Sequence, residues 1–360
     1  MAQFSPLFTR RRALWLMGGM TGGLALHACT QTPDATTDTT TETPDAESPD
    51  TAAAPGGVSA TTGSTLWIGY VPLFVALEKG FFNEGGLDLD YKVFSGSTEA
   101  DAAYGAKKLQ GLNNVTSEAV ALLSKGQDYR IIQVADTSLG GDGILARNSV
   151  TDIADFKGKE VAVELSGVSH FFLLQVLKEA GLSETDIKIN NLTPDAAAAA
   201  YQAGRIDIAV TYSPFLKQAN DAQSDGRIIY DTSQMPTAIV DVFMFDPGFV
   251  ANNPDAAQAY VTGIFKGREF IETNKDEAME IGGKWLELEP EDVETELQGV
   301  DLTSPENNVK MLADESSDLY LLSHMMELSQ FLKDQGQIPE AHSEETLKAV
   351  LDPTFVQAYG

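Results

Sequence analysis

Four carboxylates occupy positions where an unpaired charge is costly, and the residues around them suggest a cation as the partner. Glu164 ends the apolar run Val161-Ala162-Val163 just before a helix start, and Asp241 stands alone among Ile239, Val240, Val242 and Phe243. An ionised carboxylate in an apolar interior is strongly disfavoured unless something compensates it. Glu164 is therefore the leading ligand residue, with Asp241 the same kind of anomaly. Glu118 opens a helical pattern and Asp142 lies in Gly140-Gly141-Asp142-Gly143. Each has a plainer use, Glu118 as a first-turn acid favoured by the helix dipole and Asp142 as a turn former. Trp67 and Tyr70 supply aromatic faces that add ~0.5–2 kcal/mol to a bound cation, although Trp67 equally suits a core. Ser64, Thr65 and Ser166 are polar neighbours of these groups; His170 suits orienting a neighbour or capping a helix.

Other chemistries lack their residues. Cys29 is the sole cysteine, and the histidines (His27, His170, His324, His342) form no H-x-x-x-H pair, so no metal site is expected. No G-x-x-x-x-G-K-[ST] loop is present, and no cofactor is expected. A dyad such as Glu164 with Asp241 leaves an enzyme conceivable, but no Ser/His/Asp arrangement supports one.

These side chains need elements to hold them. From Val58 onward short apolar runs alternate with helical patterns, which predicts α/β units with parallel strands. Leu87–Phe94, Arg130–Ala135, Glu160–Glu164, Ile206–Thr211 and Ala238–Phe245 read as strands. Glu118–Lys125, Ser169–Ala180, Ala196–Ala203 and Ser213–Ala219 read as helices, several stopped by Gly126, Gly181 or Gly204. Beyond Pro254 the texture turns helical, over Ala256–Thr273, Lys275–Leu286, Pro290–Leu297 and Ser316–Gln335. The expected organisation is a first lobe over 58–145, a second over 146–236, and a return to the first over 237–360 with a helical tail. In open sheets ligands lie beyond the carboxyl ends of strands. The segments at those ends contain carboxylates and no lysine or arginine.

The N-terminus reads as an address. Arg10, Arg11 and Arg12 precede an apolar stretch through Leu26, and Leu26-His27-Ala28-Cys29 ends it. This predicts an export signal over 1–28. The arginine cluster leaves twin-arginine and ordinary export both open. Residues 29–57 are rich in Thr, Asp, Glu, Pro and Ala, without an aromatic, and are expected to form a disordered acidic tether. The formal charge is −29, and loss of residues 1–28 with their three arginines leaves −32. Such a field repels phosphate backbones, so nucleic acid is excluded as a partner.

Ordered motifs identify a family. Trp67-Ile68-Gly69-Tyr70-Val71-Pro72-Leu73-Phe74-Val75-Ala76, then Glu78-Lys79-Gly80-Phe81-Phe82, resemble the substrate-binding proteins of nitrate/sulfonate/taurine-type ABC importers. The resemblance continues through Ser138–Gly143, Asp155–Glu164, Gly167–Phe171, Ala203–Asp207 and Tyr212–Phe215. It implies a two-lobed α/β fold of the periplasmic-binding-protein type (type II) that closes on a small molecule. A membrane permease and a cytoplasmic ATPase would be its partners. Cys29 resembles a bacterial lipobox cysteine, which implies a lipid-anchored protein on the periplasmic side of a membrane; a monomer is expected. Tyr212 with Ser213 would contact ligand or shape the inter-lobe loop. Some family members are associated with guanidine and related nitrogen compounds, and the acidic strand ends point the same way. The alternatives are an anion carrier, with Ser64, Thr65, Ser166 and backbone amides holding the ligand, and a ligand-sensing module. The enzymatic relatives in thiamine biosynthesis carry a cysteine-rich motif that a chain with one cysteine lacks.

Overall fold

Apolar runs become strands in two sheets in a computed structural model that describes residues 57–359. The expected export signal, Cys29 and the tether up to residue 56 lie outside the described residues. The strands are β1 (Val58–Ser64), β2 (Leu87–Val93), β3 (Gly111–Val115), β4 (Arg130–Ser138), β5 (Asp142–Arg147), β6 (Glu160–Val163), β7 (Lys188–Asn191), β8 (Ile208–Tyr212), β9 (Gly226–Asp231), β10 (Val240–Phe245) and β11 (Val300–Leu302). The first sheet has the order β11-β4-β10-β3-β1-β2 and the second β7-β6-β8-β5-β9.

Both sheets are mixed. β1 pairs in parallel with β2 and β3, and β6 with β7 and β8. β10 is antiparallel to both β3 and β4, and β5 to both β8 and β9. Parallel neighbours need a crossover connection of a dozen or more residues, usually a helix. The strands that enter from the other sheet arrive without one. β5 belongs wholly to the second sheet, with Ile144 opposite Val210 and Tyr230. The first crossing therefore falls at Leu139–Gly141, and the expected boundary after residue 145 cuts through a strand. The return crossing lies between β9 and β10. The two crossings are tied together, since Thr232 Oγ1 meets Ser138 Oγ and accepts from the Gly140 amide, both at 2.7 Å.

The C-terminal helices build out the first lobe. Helix Pro254–Thr273 lies against helix Val71–Glu78, so closely that a Cβ on Gly267 would come within 2.0 Å of the Pro72 carbonyl oxygen. Tyr260 on that helix packs against Phe82, Phe243 and Phe245. The helix expected from Ser316 starts at Leu321, because Ser316 instead bonds back to Asp314 in a turn. An unanticipated helix, Pro305–Leu312, presents Asn308, whose side chain both accepts from and donates to the Val134 backbone. That amide fastens the tail to β4.

Candidate ligand-binding site

A cavity opens where the two sheets' strand ends face each other. From the first lobe come Thr65, Trp67 and Tyr70 after β1, Asn113 and Asn114 on β3, and Asp241 on β10. Glu118 reaches it from the first turn of helix Thr116–Ser124. The second lobe adds Asp142 at the start of β5, Tyr212 at the end of β8, and Val168 at the start of helix Val168–Glu179. Ser97, Ala100, Val115 and Ile239 complete the lining, and no lysine or arginine is part of it. About 30 Å³ is open to the centres of water-sized molecules, room for roughly one to a few waters. The space is small.

The expected ligand residues divide into two groups. Thr65, Trp67, Tyr70, Glu118, Asp142, Tyr212 and Asp241 line the cavity. Ser64, Glu164, Ser166 and His170 do not. Ser64 bonds to the Thr65 carbonyl and to the Tyr91 hydroxyl, behind the strand end. Glu164 reaches across to the first lobe instead. Its oxygens accept from the amides of Ser97 (3.3 Å) and Thr98 (3.1 Å), which open helix Ser97–Gly105. The compensation its position demanded is supplied by the protein rather than by a ligand. Ser166 takes a left-handed φ of +63° and donates its amide to His170 Nδ1 at 3.2 Å. His170 is buried, with Nε2 3.6 Å from Glu184.

Sequence reasoning passed over three polar wall residues, Ser97, Asn113 and Asn114. Asn113 and Asn114 form a polar pair inside an otherwise apolar strand, which was the available signal. Asn114 donates to Asp101 (2.9 Å), and Asn113 accepts from Tyr260 (2.9 Å). Asp136 sits directly behind the wall, and both its oxygens accept from the Trp67 indole, at 3.1 and 3.2 Å. Its mate across the sheet is Asp241, which takes the Tyr70 hydroxyl at 2.8 Å. Trp67 meets Tyr212 edge to face at 5.9 Å, an aromatic contact between the lobes.

Crowded burial governs the acids. Desolvation, with the carboxylates of Asp142 and Asp301 nearby, pushes Asp136 up to about 8 against the opposing Trp67 N–H. Burial takes Asp142 to about 7 against a hydrogen bond with Ser138. Glu118 and Asp241 are held well above the ordinary range by burial, and then by Asp101 and Asp136 respectively. Among the described residues, the Tyr212 hydroxyl and Asn113 Nδ2 have no hydrogen-bond partner. Burial therefore favours the protonated form of these wall acids.

Two sheets, two crossings and a cavity between facing strand ends define a solute-binding protein of the periplasmic type. The chain belongs to the NMT1/THI5-like family, whose model matches residues 67–278. It is 26% identical over 278 residues to the taurine-binding periplasmic protein of Escherichia coli K12, covering 72% of this chain and 81% of that one. A putative aliphatic sulfonates-binding protein of Bacillus subtilis 168 is 24% identical over 299 residues, 79% of this chain and 84% of its own. The fold matches the alkanesulfonate-binding protein SsuA from Xanthomonas axonopodis pv. citri bound to MOPS with a TM-score of 0.66. That match has 17% identity and covers 82% of this chain and 99% of the other. The protein is a substrate-binding component of the ABC-importer class, and these relatives are binding proteins rather than enzymes.

Proposed function

We propose that this protein captures a small cation rich in N–H donors, guanidinium-like, between its lobes and delivers it to a membrane permease driven by a cytoplasmic ATPase. One observation carries the reading: Glu118, Asp142 and Asp241 line the cavity, and no basic side chain does. Asp136 adds a further charge just behind Trp67. A planar cation donates to carboxylates in fixed directions, while Trp67, Tyr70 and Tyr212 offer ring faces or edges. A neutral amide of similar shape, such as urea, shares the donors but not the charge. The limited space suits a solute of this size.

The second reading is an anion, supported by relatives whose names state taurine or sulfonate. Against it stands like-charge repulsion, which costs several kcal/mol in a desolvated cleft wherever these acids are ionised. Amides at helix N-termini are the natural seats for an oxyanion. Here those of Val168, Ser97 and Thr98 already bond to Glu118 and Glu164.

Thermal shift and calorimetry with guanidinium, methylguanidine, urea, taurine, nitrate and sulfate separate the two. Stabilisation by guanidinium at millimolar concentration is expected, with none from the oxyanions. Stabilisation by taurine or sulfate alone would replace the cation reading with the anion one. We further propose that Cys29 is acylated and that the acidic segment after it tethers the lobes on the periplasmic side of the membrane.

A further inference from the structure

Two carboxylates cross the cleft in opposite directions. Glu118, carried by the first lobe, accepts from the amide of Val168 at 2.6 Å, the first residue of a helix in the second lobe. Glu164, carried by the second lobe, accepts from the amides of Ser97 and Thr98, the first two residues of a helix in the first lobe. Each acid therefore satisfies helix N-terminal donors that its own lobe does not supply, with the favourable end of the helix dipole added. Thr98 Oγ1 reinforces the second contact by donating to the Leu165 carbonyl at 3.3 Å. The loop that presents Glu164 is itself fixed. Ser166 is held at positive φ by its bond to His170, and Leu165 donates its amide to Asn191 at 2.9 Å. Gly96 completes the seat, since a Cβ there would approach Glu164 Oε1 to 2.3 Å.

We infer that Glu118 and Glu164 are a reciprocal latch that holds the two lobes closed. Glu164 acts on ligand only by positioning the lobes, whereas Glu118 both latches and lines the cavity. The two crossings at Leu139–Gly141 and between β9 and β10 tie the lobes at one side, and the latches bridge the open side. Because both latches depend on the same closure, losing one removes the geometry the other needs. This coupling separates a latch from two ordinary helix caps. The inference rests on the two-lobed architecture and is independent of which solute binds.

Amide hydrogen exchange of the ligand-free full chain, resolved to single residues, tests it. In Glu164→Ala the amides of Ser97 and Thr98 lose their acceptor, and their exchange should accelerate by about tenfold or more. The Val168 amide, whose own acceptor is untouched, should accelerate by a similar factor. Glu118→Ala should do the converse. Gly96→Ala keeps both charges and an extended backbone (φ −157°) that any residue adopts. Its methyl group should expel Glu164 and reproduce the Glu164→Ala pattern, while Glu164→Gln, which retains an acceptor oxygen, should give a smaller effect. Acceleration confined to the amides that lost their own acceptor would overturn the latch. So would wild-type amides of Ser97, Thr98 and Val168 that exchange as fast as an unstructured chain.

Discussion

The indole N–H of Trp67 is shared between both carboxylate oxygens of Asp136, at 3.1 and 3.2 Å, and this bond sets the floor of the site. It holds the Trp67 ring edge to face against Tyr212 of the other lobe. It also leaves Asp136 with one neutral donor, too little to offset burial, so its pKa rises to about 8. The proposed cation would supply the positive charge that this acid lacks.

Asp241→Asn tests that polarity. The amide keeps an acceptor for the Tyr70 hydroxyl, now 2.8 Å from the carboxylate, but removes the charge. Binding of guanidinium should weaken by about 2–5 kcal/mol, the usual cost of losing one member of a buried charge pair. Stability without ligand should hold or rise, because the cost of burying a carboxylate, and then its repulsion from Asp136, is relieved. Calorimetry and thermal melts read the two effects separately.

Stability without ligand should fall as pH rises from 5 to 8.5. Asp136 is raised to about 8, with Asp142 and Asp101 raised to about 7. A carboxyl with a folded pKa above its unfolded value favours folding when protonated. Its contribution is complete below the unfolded pKa near 4 and is lost as pH climbs through 7 and 8. Cation binding has the opposite slope, growing tighter with pH and releasing protons. Calorimetry in buffers of different ionisation enthalpy counts those protons; none released on binding guanidinium would contradict this.

Gly141→Ala should weaken binding of the cation that binds the wild type. A Cβ at this position would sit 2.4 Å from the Trp67 ring, and 3.1 Å from the Gly299 carbonyl oxygen. The ring must shift, which moves the wall beside Asp142. A stability loss of ~1–3 kcal/mol is expected from overpacking, together with lower affinity in a titration.

Gly267→Ala is its counterpart away from the site. The added methyl meets the Pro72 carbonyl oxygen at 2.0 Å, a backbone atom that cannot swing aside. Urea denaturation should show a loss at the upper end of ~1–3 kcal/mol, with ligand affinity per folded molecule unchanged.

Cys29→Ala should release the protein from the membrane fraction and abolish incorporation of labelled fatty acid. Membrane association that survives the substitution would remove Cys29 as the anchor.

The regular elements were legible because their patterns are local. Lys275–Leu286 has the bounds its periodicity predicts, and the strand at Leu87 runs to Val93. Seven wall residues were legible as polar or aromatic groups at strand ends. Glu164 was not legible in its actual role, since an acid closing an apolar strand looks the same whether its partner is a ligand or a helix N-terminus. Asp136 was visible as an acid at a strand end, but nothing within β4 says that the Trp67 indole will arrive there. The boundary near residue 145 was misplaced for a similar reason, as an apolar run does not state which sheet it joins.

By itself, then, the sequence determined the class of protein, the alternation of elements and the acidic character of the strand ends. These follow from residue type and spacing along the chain. Only the tertiary structure decided which acids share the cavity and which bridge the cleft. That choice depends on pairings such as Glu164 with Ser97 and Thr98, or Asp136 with Trp67, separated by more than sixty residues. Burial and partner geometry then select between a ligand contact and an internal cap, and neither quantity exists until the two lobes meet.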